Sequence, residues 1–246
     1  MSTPMMPSSQ TPKPVSEYNF PNPTRLPELT PGRSFFRQFI KLLCRVLVFC
    51  FTRMSVSGLE HFPPQGPGLV VINHLGDPDI ILVWAALPGF PETLGKIELR
   101  EIPALRVVTN MLGVIWVRRG QPDRHAISIA LEAFRQGRFM VIAPEGRESV
   151  SGALEEGTEG AAFLALRSNV PIIPVTITGT EFRQLENNLG KLRRTRVKIM
   201  VGTPFHLSKN TRHRESLRDG TRTIMETLAR QLPPEYRGVY SYVDGK

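Results

Sequence analysis

The sequence is poor in the residues that build metal centres and disulfide frameworks. Two cysteines occur, Cys44 and Cys50, and both lie in one apolar segment. The five histidines are dispersed, without a Cys/His cluster or an H-E-x-x-H motif. Because such centres and scaffolds need closely spaced ligands or paired cysteines, the sequence predicts neither a metal site nor a metal cofactor.

An uninterrupted apolar run of membrane-spanning length is also missing. The most apolar segment, residues 33–53, carries Arg37, Lys41 and Arg45 at intervals of four. Its longest uncharged run lies between Arg45 and Arg53, whereas a spanning helix needs about 20 apolar residues. The pattern predicts a basic amphipathic helix that lies in the membrane interface. The alternative is a helix packed on the core with its basic stripe in water, which the wide apolar arc makes the weaker interpretation.

Acidic residues are the minority charge. There are 22 Asp and Glu against 31 Lys and Arg, which gives a net charge of +9. A basic balance favours an anionic partner: nucleic acid, an anionic membrane surface or a phosphate-bearing substrate. The basic residues lack the aromatic interleaving of a stacking surface and the motif of a groove-reading helix. We therefore expect anionic lipids at a membrane surface, and not nucleic acid, as the partner.

The chain divides into three parts by composition. Residues 1–32 are rich in Pro, Ser and Thr and predict a flexible tail, followed by the amphipathic helix of 33–53. Over 54–246, strand-like and helical patterns alternate, which predicts an α/β domain with a mostly parallel sheet flanked by helices and a C-terminal packing helix. Strands are predicted at 54–56, 68–72, 114–117, 139–142, 172–177 and 197–201. Helices are predicted at 78–87 and at about 103–111, 123–136, 157–168 and 212–231.

The first strand–turn–helix of this domain carries the most specific chemistry. His74 follows the apolar strand 68–72, where α/β proteins place ligand-facing groups. Asp77 is expected to cap the following helix, with Pro78 at its first position. Asp79 then lies in the first turn, from which its carboxylate can fold back onto the imidazole. The spacing predicts a histidine base that is oriented by an aspartate.

Four stretches, in this order, resemble the glycerolipid acyltransferase family, which includes the 1-acyl-sn-glycerol-3-phosphate acyltransferases. They are the His-x4-Asp of 74–79, GVIWVRRG at 113–120, APEGRES at 143–149 and VPIIPV at 170–175. The resemblance covers about residues 54–205, and the amphipathic helix before it resembles the membrane-embedding N-terminal helices of the family.

The resemblance implies a role for each motif residue. His74 would deprotonate the free hydroxyl of a lysolipid, which attacks an acyl thioester directly, and Asp79 would orient the imidazole. Arg119 would bind the phosphate of the acceptor, because an arginine fork matches phosphate oxygens. Lys96 resembles a basic position of the same pocket, with a surface lysine as the equal alternative.

The third stretch both matches and departs from the family pattern. Gly146 would let backbone N–H groups approach the acceptor, and Glu145 would hydrogen-bond a substrate hydroxyl or order the loop. The family commonly continues with Thr-Arg-Ser, whereas this chain has Arg147-Glu148-Ser149. The phosphate-binding Arg of the family is therefore replaced by Glu148, and Arg147 is the candidate substitute from one residue away.

The expected activity is transfer of a fatty acyl group to a lysophospholipid, with lysophosphatidate to phosphatidate as the leading reaction. Acyl-CoA or acyl-ACP would be the co-substrate, and no other cofactor is expected. The protein is expected to lie peripherally on the cytoplasmic face of a membrane. The alternatives are another lysolipid acceptor, or a non-catalytic lipid-binding protein on the same scaffold, which would not need an oriented base.

Overall fold

A computed structural model describes residues 26–117, 123–191, 193–208 and 213–244. Among these residues, seven strands form one sheet in the order β1-β7-β6-β2-β5-β3-β4. All neighbouring strands are parallel except β6 and β7, which are antiparallel. The strands are β1 (Thr52–Ser57), β2 (Gly68–Ile72), β3 (Glu92–Lys96), β4 (Ile115–Val117), β5 (Phe139–Ile142), β6 (Ile172–Thr178) and β7 (Thr195–Val201). The predicted α/β architecture with a mostly parallel sheet is confirmed.

Helices cover both faces of the sheet. They are α1 (Pro31–Phe51), α2 (Pro78–Ala86), α3 (Pro103–Leu112), α4 (Arg124–Arg135), α5 (Glu159–Ser168), α6 (Phe182–Gly190) and α7 (His213–Gln231). Helices α4, α5 and α7 pack against one face, and α1 and α2 against the other. Short 3-10 turns follow at Leu59–His61, Ile97–Glu101, Pro234–Tyr236 and Gly238–Asp244.

Two elements were not predicted from the sequence. Strand β3 reads Glu-Thr-Leu-Gly-Lys, with a charge at each end and a glycine at its fourth position, so it lacks the pattern of a strand. Helix α6 contains two asparagines and a terminal glycine, which are residues typical of turns. In both cases the surrounding structure outweighs a weak local preference.

Strand β2 is the central strand that leads into the candidate site. All five of its residues are buried, and it pairs with β5 on one side and β6 on the other. The three strands are parallel, so their carboxyl ends meet at one edge of the sheet. This edge brings the residue that follows β2 close to the loop that follows β5.

Helix α1 docks on the protein through its basic stripe, which the weaker of the two interpretations placed in water. Arg37 and Lys41 are buried, with 4% and 6% of their surface exposed. The Arg37 guanidinium binds the Glu92 carboxylate through two hydrogen bonds of 2.8 and 2.9 Å. Lys41 donates to the Leu87 carbonyl at 2.6 Å. The interpretation that places the whole stripe in water is therefore wrong.

Because the cations face the protein, the apolar residues of α1 face outward. The exposed residues are Phe35, Phe39, Leu42, Leu43, Val46, Leu47, Phe49 and Phe51. The neighbouring α3 adds exposed Leu105, Val107, Val108 and Met111. A hydrogen bond of 3.2 Å from Arg33 Nε to the Met111 carbonyl joins the two helices. None of the described helices is long and apolar enough to cross a membrane.

Candidate active site

A histidine and a buried aspartate meet where β2 passes into α2. His74 Nδ1 lies 3.0 Å from Asp79 Oδ2. The same oxygen accepts the backbone N–H groups of Leu75 at 2.7 Å and Gly76 at 3.0 Å. Asp79 has no exposed surface, whereas the His74 side chain keeps 17% of its surface exposed. The arrangement holds one carboxylate rigidly behind an imidazole that solvent can still reach.

The hydrogen bonds at Asp79 define the tautomer of the neutral ring. A carboxylate oxygen that accepts two backbone N–H groups also acts as an acceptor toward the imidazole. Nδ1 therefore carries the proton, and Nε2 presents its lone pair to the site. This is the tautomer that a general base requires.

Asp77 does not cap α2 in the expected way. It occupies the position before the helix, but its backbone is already helical (φ −51°, ψ −32°) and its side chain makes no capping hydrogen bond. The side chain of Asp79, two residues further on, satisfies the N–H groups of the turn instead. Asp79 thus closes the turn and contacts His74 at once, and the prediction of Asp77 as a side-chain cap is wrong.

Glu145 fixes the backbone of His74 from the loop after β5. Its Oε1 accepts the His74 N–H at 3.1 Å, and its Oε2 accepts the Glu155 N–H at 2.9 Å. Burial is the main cause that raises the pKa of Glu145 to about 7, against the lowering effect of the two backbone hydrogen bonds. Of its two expected roles, these contacts correspond to ordering the loop.

The same loop makes a second backbone contact to the histidine. The Ser149 N–H donates to the His74 carbonyl at 2.7 Å. Between these two anchor points the chain turns at Gly146, whose φ of 73° lies in the left-handed region that favours glycine. The Gly146 N–H donates to the Ala143 carbonyl at 3.0 Å, so this N–H closes the turn.

The basic residues expected to bind phosphate are paired with carboxylates where they are described. Lys96 Nζ lies 2.7 Å from Glu148 Oε1. Arg147 lies 2.6 Å from Glu155 Oε2, with 63% of its side chain exposed. Arg147 therefore points toward Glu155, and its role as the substitute phosphate ligand stays a prediction. Arg119 lies outside the described residues.

Two supports of the site were not found by sequence reasoning. Asn73 is 1% exposed, and its side chain exchanges two hydrogen bonds of 2.8 Å with the backbone of Ile177 in β6. An asparagine directly between an apolar strand and the histidine is the signal that was available. Asn73 fixes the end of β2 against β6, so the histidine begins from a rigid strand.

The second support is the C-terminal segment, residues 234–244. The Leu154 N–H donates to the Tyr236 carbonyl at 2.9 Å, and the Val239 N–H donates to the Leu154 carbonyl at 3.2 Å. The Gly157 N–H donates to the Tyr240 hydroxyl at 3.2 Å. These contacts fasten the far half of the loop that carries Glu145, and nothing in the sequence pattern predicts them.

Among the described residues, the candidate site consists of the His74 imidazole, the Asp79 carboxylate and the groups that hold them in place. Within the described ranges no group of three or more His, Cys, Asp or Glu side chains is arranged to hold a metal ion. The arrangement holds an oriented imidazole beside two ion pairs, Lys96–Glu148 and Arg147–Glu155.

These features define an α/β protein with a His–Asp pair at the carboxyl edge of its sheet. The family model described as Acyltransferase matches residues 53–178, just over half of the chain. The chain belongs to this acyltransferase family, which confirms the resemblance seen in the sequence.

Curated relatives and a solved structure agree with this assignment. The chain is 27% identical over 183 residues to the chloroplastic 1-acyl-sn-glycerol-3-phosphate acyltransferase LPAT1 of Arabidopsis thaliana, covering 73% of this chain and 51% of that protein. It is 28% identical over 196 residues to the 1-acyl-sn-glycerol-3-phosphate acyltransferase alpha of Ovis aries, covering 78% and 68%. The chain thus spans about half the length of the chloroplast relative.

The fold is shared with the 1-acyl-sn-glycerophosphate (LPA) acyltransferase, PlsC, from Thermotoga maritima. The two structures superpose with a TM-score of 0.61 at 21% identity, over 80% of this chain and 81% of that one. At this identity the similarity shows the fold.

Proposed function

We propose that this protein transfers a fatty acyl group from an acyl thioester to the free hydroxyl of a lysophospholipid. The observation that carries the proposal is the 3.0 Å contact between His74 Nδ1 and the fully buried Asp79 carboxylate. A lipid-binding protein without catalysis has no use for a buried carboxylate that fixes the tautomer of an accessible histidine.

The chemical step follows from the orientation of His74. Nε2 takes the proton of the acceptor hydroxyl as its oxygen attacks the carbonyl carbon of the thioester. The resulting imidazolium is stabilised by Asp79 on its other side. The tetrahedral intermediate collapses with cleavage of the C–S bond, and the leaving thiolate takes the proton back from His74. No acyl group is attached to the protein in this sequence.

Glu145 and the Ser149 N–H keep the base at its place during this step. They hold the N–H and the carbonyl of His74 from one loop. The imidazole can therefore move only about its side-chain torsions, one of which the Asp79 contact fixes. Such positioning is worth orders of magnitude in rate, because misplacement by about 1 Å costs about 10²-fold.

The exposed apolar surface of α1 and α3 supports a membrane location. Burial of Arg37 and Lys41 removes two cations from α1's outer surface, and the outward face presents four exposed phenylalanines, two in each half of the helix. Such a surface enters the boundary of headgroups and acyl chains as an interfacial helix does. We place the protein peripherally on the cytoplasmic face, because charged thioester carriers reach the site from water.

Lysophosphatidate is the leading acceptor in this proposal, with phosphatidate as product. The names of the relatives support this choice, since they print 1-acyl-sn-glycerol-3-phosphate acyltransferase. Acyl-CoA and acyl-ACP are the two candidate donors, and both present the same thioester to His74.

Mass spectrometry of the reaction products tests the proposal. Purified protein is mixed with acyl-CoA or acyl-ACP and a panel of lysolipids that includes lysophosphatidate. We expect diacyl product with the wild type and none above background with His74→Ala. His206→Ala is the matched control, because His206 is exposed and lies far from the base. It follows Phe205, which pairs with Ile172 at the start of β6, whereas His74 lies at the opposite edge of the sheet, where the parallel strands end. Wild-type turnover that persists in His74→Ala contradicts the mechanism, and no turnover with any lysolipid contradicts the function.

A further inference from the structure

The charged residues of β1 and β7 are all basic, and they share one exposed face of the sheet. Residues of β7 alternate between buried and exposed, and the exposed ones are Arg196, Lys198 and Met200. On the neighbouring β1, Arg53 is exposed and lies level with Arg196. Because paired residues of adjacent parallel strands point to the same side of a sheet, Arg53, Arg196 and Lys198 form one surface, which we call the cationic face.

The positive charge of the cationic face is not compensated within the described ranges, where none of its three side chains forms an ion pair with a carboxylate. Arg194 is not part of this face, because its guanidinium lies over the Phe49 ring of α1 at 5.0 Å. Several exposed arginines on other elements do pair with carboxylates, namely Arg135, Arg147, Arg222 and Arg230. The cationic face therefore presents an open positive potential to an anionic partner.

The cationic face lies at the edge of the sheet that carries His74. Lys198 pairs with Thr178, the last residue of β6, and β6 runs parallel to β2, which ends just before His74. In the strand order β7 is two places from β2, so the backbone of Lys198 lies about 10 Å to the side of the β2 chain. A partner bound at the cationic face can therefore present a thioester on a flexible arm to His74.

The cationic face points away from the apolar surface of α1. Val197 and Ile199, which alternate with the cations along β7, are buried in one core cluster with Cys44 and Val48 of α1. The cations therefore point to the other side of the sheet. A bilayer that contacts the apolar surface of α1 lies on the opposite side of the sheet from the cationic face, which faces water.

The form of this surface distinguishes the two candidate donors. Small-molecule sites are concave, whereas these cations stand on an open sheet face. Complementary charge on two macromolecules steers their encounter and fixes their orientation. Acyl-CoA is a small molecule, and acyl-ACP is a protein. An open cationic face in water therefore fits a carrier protein with an acidic surface better than it fits a nucleotide.

We propose that Arg53, Arg196 and Lys198 form a docking surface for an acidic acyl carrier protein, from which the acyl thioester reaches His74. The inference rests on the proposed acyltransferase function and names its donor. The transfer is the one described above: the acceptor oxygen bonds to the carbonyl carbon and the C–S bond breaks. The carrier's thiolate leaves and takes the proton from His74.

The test compares two donors within each preparation of protein. kcat/KM is measured for acyl-ACP and for acyl-CoA, with lysophosphatidate in neutral detergent micelles so that binding to a bilayer does not enter. Because the ratio of the two values is taken within one preparation, loss of folded protein cancels. Arg196→Glu combined with Lys198→Glu is expected to lower the acyl-ACP to acyl-CoA ratio by about 10- to 100-fold, because steering attraction becomes repulsion.

A matched variant makes the same change of charge elsewhere. Arg135→Glu combined with Arg167→Glu reverses two exposed cations at the ends of α4 and α5, which lie at the opposite edge of the sheet. This variant is expected to keep the wild-type ratio within about twofold, because distant exposed charges are screened. Added salt should lower kcat/KM for acyl-ACP more in the wild type than in Arg196→Glu/Lys198→Glu, since only the wild type retains the attraction.

The outcomes separate the inference from the proposed function. Equal ratios in the wild type and in Arg196→Glu/Lys198→Glu overturn the inference and leave the function intact, and so does wild-type turnover with acyl-CoA alone. An unchanged ratio together with lost binding to anionic vesicles would assign the cationic face to a bilayer, which also overturns the inference. Wild-type turnover with neither donor contradicts the proposed function and the inference with it.

Discussion

Replacement of Asp79 by asparagine removes one charge from the site and leaves most of its geometry. Asp79 Oδ2 accepts three hydrogen bonds, from the imidazole and from two backbone N–H groups. An amide oxygen in the same place can accept all three, so the turn and the position of His74 are expected to persist. What is lost is the electrostatic stabilisation of the imidazolium that forms when His74 takes the proton.

The magnitude follows from the contact distance. Two unit charges about 4 Å apart interact by about 4 kcal/mol at the effective dielectric constant of about 20 that suits protein sites. At 1.36 kcal/mol for each tenfold change in rate, this corresponds to a loss of about 10³-fold in kcat. The buried position of Asp79 justifies the protein value of the dielectric constant over that of water.

Steady-state kinetics with saturating lysolipid measures the effect on kcat. Asp77→Asn is the matched control, because Asp77 is exposed and its side chain makes no capping hydrogen bond. We expect kcat within about twofold of the wild type for Asp77→Asn and about 10³-fold lower for Asp79→Asn, with the circular dichroism spectrum unchanged in both. Equal activities of the two variants would refute the assignment of Asp79 as the orienting carboxylate.

Three further predictions follow from the supports of the site and from the outer surface. Burial raises the pKa of Glu145 to about 7, so between about pH 4.5 and 7 the folded protein holds a proton that the unfolded chain has released. The stability of the folded protein therefore falls as the pH rises from about 4.5 to 7. The stability of the wild type relative to Glu145→Gln should therefore drop by about 3 kcal/mol between pH 4.5 and 7 in denaturant titrations, and parallel curves contradict this. Tyr240→Phe leaves the Gly157 N–H without its acceptor and should lower the stability measured by thermal unfolding by about 1–3 kcal/mol. Tyr242→Phe, whose hydroxyl lies at the surface, should lower it little, and equal losses contradict the role of Tyr240 in holding the loop. Phe39→Asp should lower vesicle binding more than tenfold by removing an apolar contact of about 1.5–3 kcal/mol, and Leu189→Asp, equally exposed on α6, should not; equal binding by both variants contradicts α1 as the lipid surface.

The parts of the structure that depend on local pattern were predicted from the sequence. Strand β2 has the predicted bounds, and the histidine lies at its end as expected. The His74–Asp79 contact was also predicted, because a strand, a tight turn and a helix with Pro78 at its start leave few places for a carboxylate five residues away. The choice of Asp79 over Asp77 as the partner of His74 agrees with this contact, but the capping hydrogen bond expected of Asp77 is absent, because its backbone is already helical and Asp79 satisfies the N–H groups of the turn.

The parts that depend on distant residues were not predicted. The inward orientation of α1 requires Glu92, which lies 55 residues from Arg37 in the chain and at the start of an unpredicted strand. Likewise, the pairing of Lys96 with Glu148 joins positions 52 residues apart. A stripe of cations on a helix is interpreted as solvent-exposed unless a buried carboxylate that pairs with it is known. No pattern in the sequence identifies Glu92 as that carboxylate.

The tautomer of His74 is the property on which the proposed chemistry depends most directly. Nitrogen-15 NMR of histidine-labelled protein distinguishes a protonated Nδ1 from a protonated Nε2, and the His74→Ala spectrum assigns the signal. We predict that neutral His74 carries its proton on Nδ1 and that Asp79→Ala abolishes this preference. A neutral His74 with its proton on Nε2 in the wild type would contradict the account, because that nitrogen could not then accept the proton of the acceptor hydroxyl.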